Sequence, residues 1–284
     1  MAASETRTRV LVAIPGALVA VAAGYAGGWA LAALLAVFAA LIARELFAMA
    51  ARKGPRPLAA LGMAGAAAMV LGAAAAPADG LANPLPAGVL VLIALLAGAA
   101  AIWSRGVEGE PLLSVAVTVF GAGYAALAGF ALFLRHLHGV DDESHGVALL
   151  FAPVLLTWAS DTFAYFGGRA FGRRKLIPRV SPGKTVEGAL SAVVGSVALG
   201  VGYALFLARF GGYAPTVVEG AVLGLVVSAA GQLGDLVESL WKRDVDVKDS
   251  GTLLPGHGGA LDRLDSLLFT LPVGYGFFRF VVGL

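Results

Sequence analysis

Residues 216–239 read TVVEGAVLGLVVSAAGQLGDLVES. This apolar run is long enough to cross a bilayer as a helix, which takes roughly 20 residues. It ends on two carboxylates, Asp235 and Glu238. Similar runs lie near 10–26, 29–43, 58–76, 86–103, 112–134, 146–166, 186–209 and 264–282. Apolar types make up 59% of the 284 residues and charged types 13%, against about half and about a quarter in soluble domains. A soluble domain of this size cannot hide so much apolar surface, so lipid is the expected solvent. The expectation is an all-α, polytopic integral membrane protein with about nine transmembrane helices.

The run after Arg7 and Arg9 resembles a secretory signal, but it reads better as a first membrane helix. Gly24-Tyr25-Ala26-Gly27-Gly28 joins the first two runs as a tight hairpin. Spans rich in Ala and Gly suit close helix contact in lipid. The pairs Gly62 with Gly65, and Gly195 with Gly200, are too loosely placed for a dimer motif. No repeat or linker interrupts the chain, so 1–284 is read as one membrane domain.

With nine spans and a cytoplasmic N-terminus, basic residues should mark the inner loops. Of the 20 Lys and Arg, all but Arg135, Arg209 and Arg279 then fall inside. The acidic loop Asp141-Asp142-Glu143 falls outside. The formal net charge of +2 says little about partners, and nothing calls for nucleic acid. The absence of cysteine excludes disulfides and thiolate metal sites.

This topology sets Asp161, Glu187, Asp235, Glu238, Asp262 and Asp265 at a similar depth under the cytoplasmic surface. Carboxylates in membrane segments are costly, so each is a functional candidate. Asp262 and Asp265, three apart, would share a helix face. So would Asp235, Glu238 and Lys242 if their helix runs that far. Oxygen ligands without Cys or clustered His suit Mg²⁺. The competing reading, pairing with surface Arg and Lys, weighs most for Glu187 and Glu238.

Two basic, glycine-bearing loops fall on the same side. The first runs Gly167-Gly168-Arg169-Ala170-Phe171-Gly172-Arg173-Arg174-Lys175, followed by Ser181-Pro182-Gly183-Lys184-Thr185-Val186-Glu187-Gly188. It suits phosphate, of a nucleotide or of lipid headgroups. Gly183-Lys184-Thr185 imitates the end of a P-loop. However, Pro178 stands where that motif needs glycine and no buried parallel strand precedes it, so a P-loop is excluded. The second loop holds Lys242, Arg243, Lys248 and Asp249, then Pro255-Gly256-His257-Gly258-Gly259, whose backbone N–H groups can approach a phosphate. His257 is the only histidine on the inner side, since His136, His138 and His145 fall outside.

The stretch Ser239-Leu240-Trp241-Lys242-Arg243 through Lys248-Asp249-Ser250, then His257-Gly258-Gly259-Ala260-Leu261-Asp262-Arg263-Leu264-Asp265, resembles the signature of phosphatidate cytidylyltransferases (CDP-diacylglycerol synthases). That signature reads S-x-apolar-K-R-x4-K-D-x-small-x2-apolar-P-x-H-G-G-apolar-x-D-R-apolar-D. Trp241 and Ala260 depart mildly from it. Asp161–Arg169 and Ser181–Gly188 are also similar to family stretches, with Gly183 where lysine is frequent. The strong resemblance covers roughly 151–270. It divides the chain into N-terminal helices of less specific sequence, 1–150, and catalytic helices and cytoplasmic loops, 151–284.

The resemblance implies transfer of a cytidylyl group from CTP to phosphatidic acid, giving CDP-diacylglycerol and pyrophosphate for phospholipid biosynthesis in the cell membrane. It also implies Mg²⁺, K⁺ as a second cation, and a homodimer. Asp235, Asp262 and Asp265 would bind the cation, with Asp161 as a further ligand. Arg169, Lys184, Lys242, Arg243, Lys248 and Arg263 would meet phosphates. Ser181 and His257 would orient phosphate oxygens, and Asp249 would bind cation or hold Lys248. The rivals are a CTP-dependent lipid kinase and a transporter. A transporter's acids should sit near the midplane, not beside basic loops at one surface. A CDP-alcohol phosphatidyltransferase lacks support, because the D-x2-D-G pattern fails at Ser266.

Overall fold

The structure, a computed structural model, describes residues 2–137, 143–209, 215–252 and 258–284. His138, Asp141, Asp142 and His257 lie outside the described residues. Helix meets each of the nine predicted runs. In chain order the elements are α1 (Ala2–Ala26), α2 (Gly28–Ala51), α3 (Ala59–Ala75), α4 (Pro84–Ser104), α5 (Pro111–Ala125) and α6 (Phe130–His136). Then come α7 (Glu143–Phe171), β1 (Lys175–Ile177), β2 (Ser181–Thr185), α8 (Val186–Leu207), α9 (Val217–Asp244), α10 (Leu261–Leu264) and α11 (Leu267–Gly276). Among the described residues, seven helices are long and apolar enough to cross a membrane, and Ile14–Ala26 and Ala59–Ala75 are shorter apolar helices. The chain is a helical, multi-pass membrane protein. The hairpin of β1 and β2 departs from the all-α expectation.

The chain divides into two compact units. One is Met1–Phe133 with Trp241–Leu264, the other Leu134–Leu240 with Asp265–Leu284.

In the first unit, polar side chains finish helix ends that lipid cannot hydrate. Asn83, 4% exposed, accepts from the Leu85 N–H at the start of α4 and donates to the carbonyls of Gly72 and Ala76 at the end of α3. Pro84 and Pro111 open α4 and α5, where a missing N–H does no harm. Ser114 and Thr118 on α5 accept from the N–H groups of Arg56 and Leu58, tying down the connection after α2. The expected tight link between the first two runs is a single residue, Gly27, followed by Gly28. Their φ of 64° and 49° explains why glycine stands at both.

In the second unit, α7 packs along α8 and against α11. Thr157, one turn after Pro153, donates to the Pro153 carbonyl, and its hydroxyl lies 3.1 Å from that of Thr270. Ser160 on α7 and Ser228 on α9 share a buried hydrogen bond of 2.9 Å. The glycines that made no dimer motif serve packing within the chain. Gly62 lies under the Phe47 ring, Gly65 under Ile93 and Gly195 under Phe163. Gly200 on α8 lies against the backbone of Gly220 on α9, and Gly224 against Ser196 and Val197.

An added Cβ at Gly224 would meet the Ser196 backbone and lie 2.7 Å from Val197 Cα. Gly224→Ala should therefore destabilise the protein by about 1–3 kcal/mol. Gly202→Ala, with nothing within 4 Å, should be neutral. Thermal unfolding in detergent distinguishes the two, and equal melting temperatures would contradict this packing.

Candidate active site

The second unit builds a polar cavity on the first basic loop. Its frame is the hairpin, in which Lys175 pairs with Thr185 and Ile177 with Ser181. The Val180 N–H donates to the Ile177 carbonyl at 3.1 Å, and Pro178 takes the second turn position, which its fixed φ suits. Thr185 ends the hairpin and caps α8 by accepting from the Gly188 N–H. Glu187, in the first turn of α8 where a carboxylate is favoured, accepts from the N–H groups of Arg173 and Arg174 and from Arg174 Nε. It is a strut for the basic loop, in line with the pairing reading. Lys175 Nζ reaches across to the Pro182 carbonyl at 2.7 Å.

A cavity of about 580 Å³ opens here, with Asp161, Tyr165, Arg169, Lys184, Gln232 and Asp235 in its lining. Small-molecule sites run about 300–1,000 Å³. Lys184 Nζ lies 2.7 Å from Asp235 Oδ2, and Ser239 Oγ donates to Asp235 Oδ1. Asp161 is within electrostatic range of Asp265, Asp235 and Lys184. Arg169 donates to the Tyr165 hydroxyl. Four residues read from three separate stretches, Asp161 with Arg169, Lys184, and Asp235, thus line one cavity. Among the described residues, no group of three or more His, Asp or Glu side chains is placed to hold a metal ion by itself. Asp161, Asp235 and Asp265 are nevertheless hard oxygen donors. Mg²⁺ needs only one or two such carboxylates when water and phosphate oxygens complete its shell, so the donor set fits.

The first unit organises most of the second basic loop around Asp262. Its Oδ1 accepts from Lys242 Nζ at 2.8 Å, and its Oδ2 from the Ser250 N–H, the Ser250 hydroxyl and the Gly259 N–H. Four donors are about what a carboxylate accepts. Both partners are well shielded, with side chains 12% and 5% exposed. Lys248, Asp249 and Arg263 are exposed, and Arg243 donates to the Val247 carbonyl. Trp241 packs edge-on against Phe120 and Tyr124, so its mild departure from the signature fills space on α5.

One expectation needs correcting. Asp262 and Asp265 do not share a helix, because α10 ends at Leu264 and Asp265 falls in the turn before α11. There Asp265 accepts from the next N–H, that of Ser266. By contrast α9 does run to Asp244, which carries Asp235, Glu238 and Lys242 on one helix. Glu238 is buried on it, 1% exposed. Sequence reasoning passed over Gln232, Ser250 and Glu45. For Glu45 the signal was present, since an acid within an otherwise apolar run is itself a candidate.

A profile of the cytidylyltransferase family matches residues 7–281. The chain belongs to that family. Among its relatives in the cytidylyltransferase family, a phosphatidate cytidylyltransferase of Haemophilus influenzae is 39% identical over 193 residues, 68% of this chain and 65% of that protein. One from Bacillus subtilis is 44% identical over 133 residues, 47% of this chain and 48% of that protein. The chain thus spans less than two thirds of either. One from Synechocystis sp. is 33% identical over 293 aligned positions, 95% of both chains.

The Asp262 network makes a stability prediction. Asp262→Asn leaves one accepting oxygen for four donors and leaves the Lys242 ammonium without its counter-charge, a loss of about 3 kcal/mol. Adding Lys242→Met should recover part of that loss. Unfolding of the purified single and double variants measures it; additive losses would mean that the two side chains act independently.

Proposed function

We propose that the chain transfers a cytidylyl group from CTP to phosphatidic acid, giving CDP-diacylglycerol and pyrophosphate for phospholipid biosynthesis. The observation that carries this reading is the cavity holding Asp161, Arg169, Lys184 and Asp235, in a chain of the cytidylyltransferase family. The relatives' names supply the lipid acceptor. A transporter finds less support, because these acids gather beside a basic hairpin.

The same reading has nine spans in the cell membrane, with the N-terminus and the site on the cytoplasmic side. The skew of basic residues supports it, leaving only Arg135, Arg209 and Arg279 outside. CTP is a cytoplasmic solute, and the lipid enters sideways from the bilayer.

In the reaction a phosphate oxygen of phosphatidate attacks the α-phosphorus of CTP. A new P–O bond forms as the bond to the β-phosphate bridging oxygen breaks, and pyrophosphate leaves with the electron pair. The attacking oxygen is already anionic near neutral pH, so no strong base is required. The difficulty is bringing polyanions together, and positioning with electrostatics meets it. Arg169 and Lys184 would hold phosphates in the cavity. Lys184 would leave Asp235 for a phosphate, an exchange that frees the carboxylate. Asp161, Asp235 and Asp265 would hold Mg²⁺, which when bound neutralises phosphate charge and polarises the α-phosphoryl oxygens. Asp262, already taken by four protein donors, would act by holding Lys242 in place. Lys242, Arg243, Lys248 and Arg263 would meet the remaining phosphate charge. Ser181 and His257 would orient phosphate oxygens, and Asp249 would steady Lys248. The family resemblance carries two further parts of the proposal, K⁺ as a second cation and a homodimer.

The purified protein given CTP, phosphatidate and Mg²⁺ should release pyrophosphate, and chelation should abolish the release. CDP in place of pyrophosphate would identify a lipid kinase instead. Lys184→Met and Asp235→Asn should each lower kcat/KM at least about 100-fold, as for loss of a charge stabiliser. Full activity in both would remove this cavity from the mechanism.

A further inference from the structure

Glu45 lies on α2, within a span that is otherwise mostly apolar, and is 8% exposed. Burying a carboxylate is costly unless donors meet it. Here the donors come from the far end of the chain. Oε2 accepts from the Leu261 N–H at 2.9 Å and, at 2.8 Å, shares the single Ser250 hydroxyl proton with Asp262, and Oε1 accepts from the Ala260 N–H at 2.9 Å. The backbone is cut to admit it. A Cβ at Gly251 would come 2.7 Å from Oε1, and one at Gly259 would collide with Oε2. Ser250 is the shared element, because its hydroxyl lies within hydrogen-bond distance of both Glu45 and Asp262. Asp262 in turn holds Lys242. One buried carboxylate on α2 is therefore linked to Lys242 through Ser250 and Asp262.

We propose that Glu45 is a positioning residue for the transferase. It pins Ser250 and the 260–261 backbone so that Asp262 and Lys242 keep their places, and it touches no substrate itself. The kinetic part of this inference rests on the transferase reading above.

Glu45→Gln keeps the shape but gives the site one accepting oxygen instead of two, and it turns an N–H donor toward a backbone N–H. Displacing catalytic groups by about 1 Å costs roughly 100-fold in rate. The expected result is a kcat lowered at least about tenfold. Glu45→Asp should recover part of it, and melting should stay within a few degrees of the wild type. Since the chain has no cysteine, single reporters give a readout independent of activity. Val245→Cys, in the buried start of the loop, should label with maleimide at least about tenfold faster in the Glu45→Gln background. Ala192→Cys, buried in α8, should label at an unchanged rate. Unchanged kcat and unchanged labelling at Val245→Cys would overturn the proposal. So would equal acceleration at both reporters, which means general loosening. If Glu45→Gln does not fold, Ser250→Ala replaces it. It removes the hydroxyl near both carboxylates and should give the same local pattern at smaller size, and its absence would count against the proposal. A wild-type protein without transferase activity would sink the proposed function alone, and the labelling arm would still decide whether Glu45 holds the loop.

Discussion

A backbone in hydrocarbon has no water to hydrate its N–H and C=O groups, so it must satisfy them within the chain. Long helices do this automatically, and most of this protein is helix. The constraint becomes visible where helices stop. At several of these places a side chain takes over as hydrogen-bond partner. Asn83 does so between α3 and α4, Ser114 and Thr118 do so for the connection after α2, and Thr185 does so at the head of α8. The candidate site residues lie toward helix ends, as Asp161, Asp235 and Lys242 do, or in the hairpin and loop that follow them, as Lys184 and Lys248 do. Acids brace both of these non-helical segments.

The bracing acids form a class of their own. Glu187, Asp262 and Glu45 each accept from backbone N–H groups of a loop. Charge-assisted bonds of this kind are roughly twice as strong as neutral ones, and they fix backbone rather than side-chain position. The architecture puts anionic struts beneath cationic loops. Lys248 and Arg263 stay exposed, while Lys242 is drawn in against Asp262.

Much of this was legible in the sequence, and the limits have physical causes. The nine helical runs follow from apolar composition, because lipid selects long apolar stretches without regard to detail. Asp161, Lys184 and Asp235 were legible as candidates by residue type and loop composition, and one cavity holds all three. The β1–β2 hairpin was missed because its strands are three and five residues long and rich in Lys, Pro and Gly, with no alternation to read. The break between Asp262 and Asp265 was missed because i, i+3 spacing presumes an unbroken helix. Glu45 stood in plain sight, but its partners lie more than 200 residues away. Only the fold brings them to it.

The two lysine–aspartate pairs look alike on paper, at 2.7 Å and 2.8 Å, yet burial separates them. Lys184 and Asp235 have side chains 27% and 34% exposed, so water screens the pair and it is worth about 0–1 kcal/mol. An incoming phosphate, with more charge and more acceptor oxygens, can take the lysine at little cost. Lys242 and Asp262 are 12% and 5% exposed. Removing either partner would strand the other out of water at about 3–5 kcal/mol, and Asp262 carries three further bonds that would loosen with it. The first pair is therefore built to exchange partners and the second to stay closed.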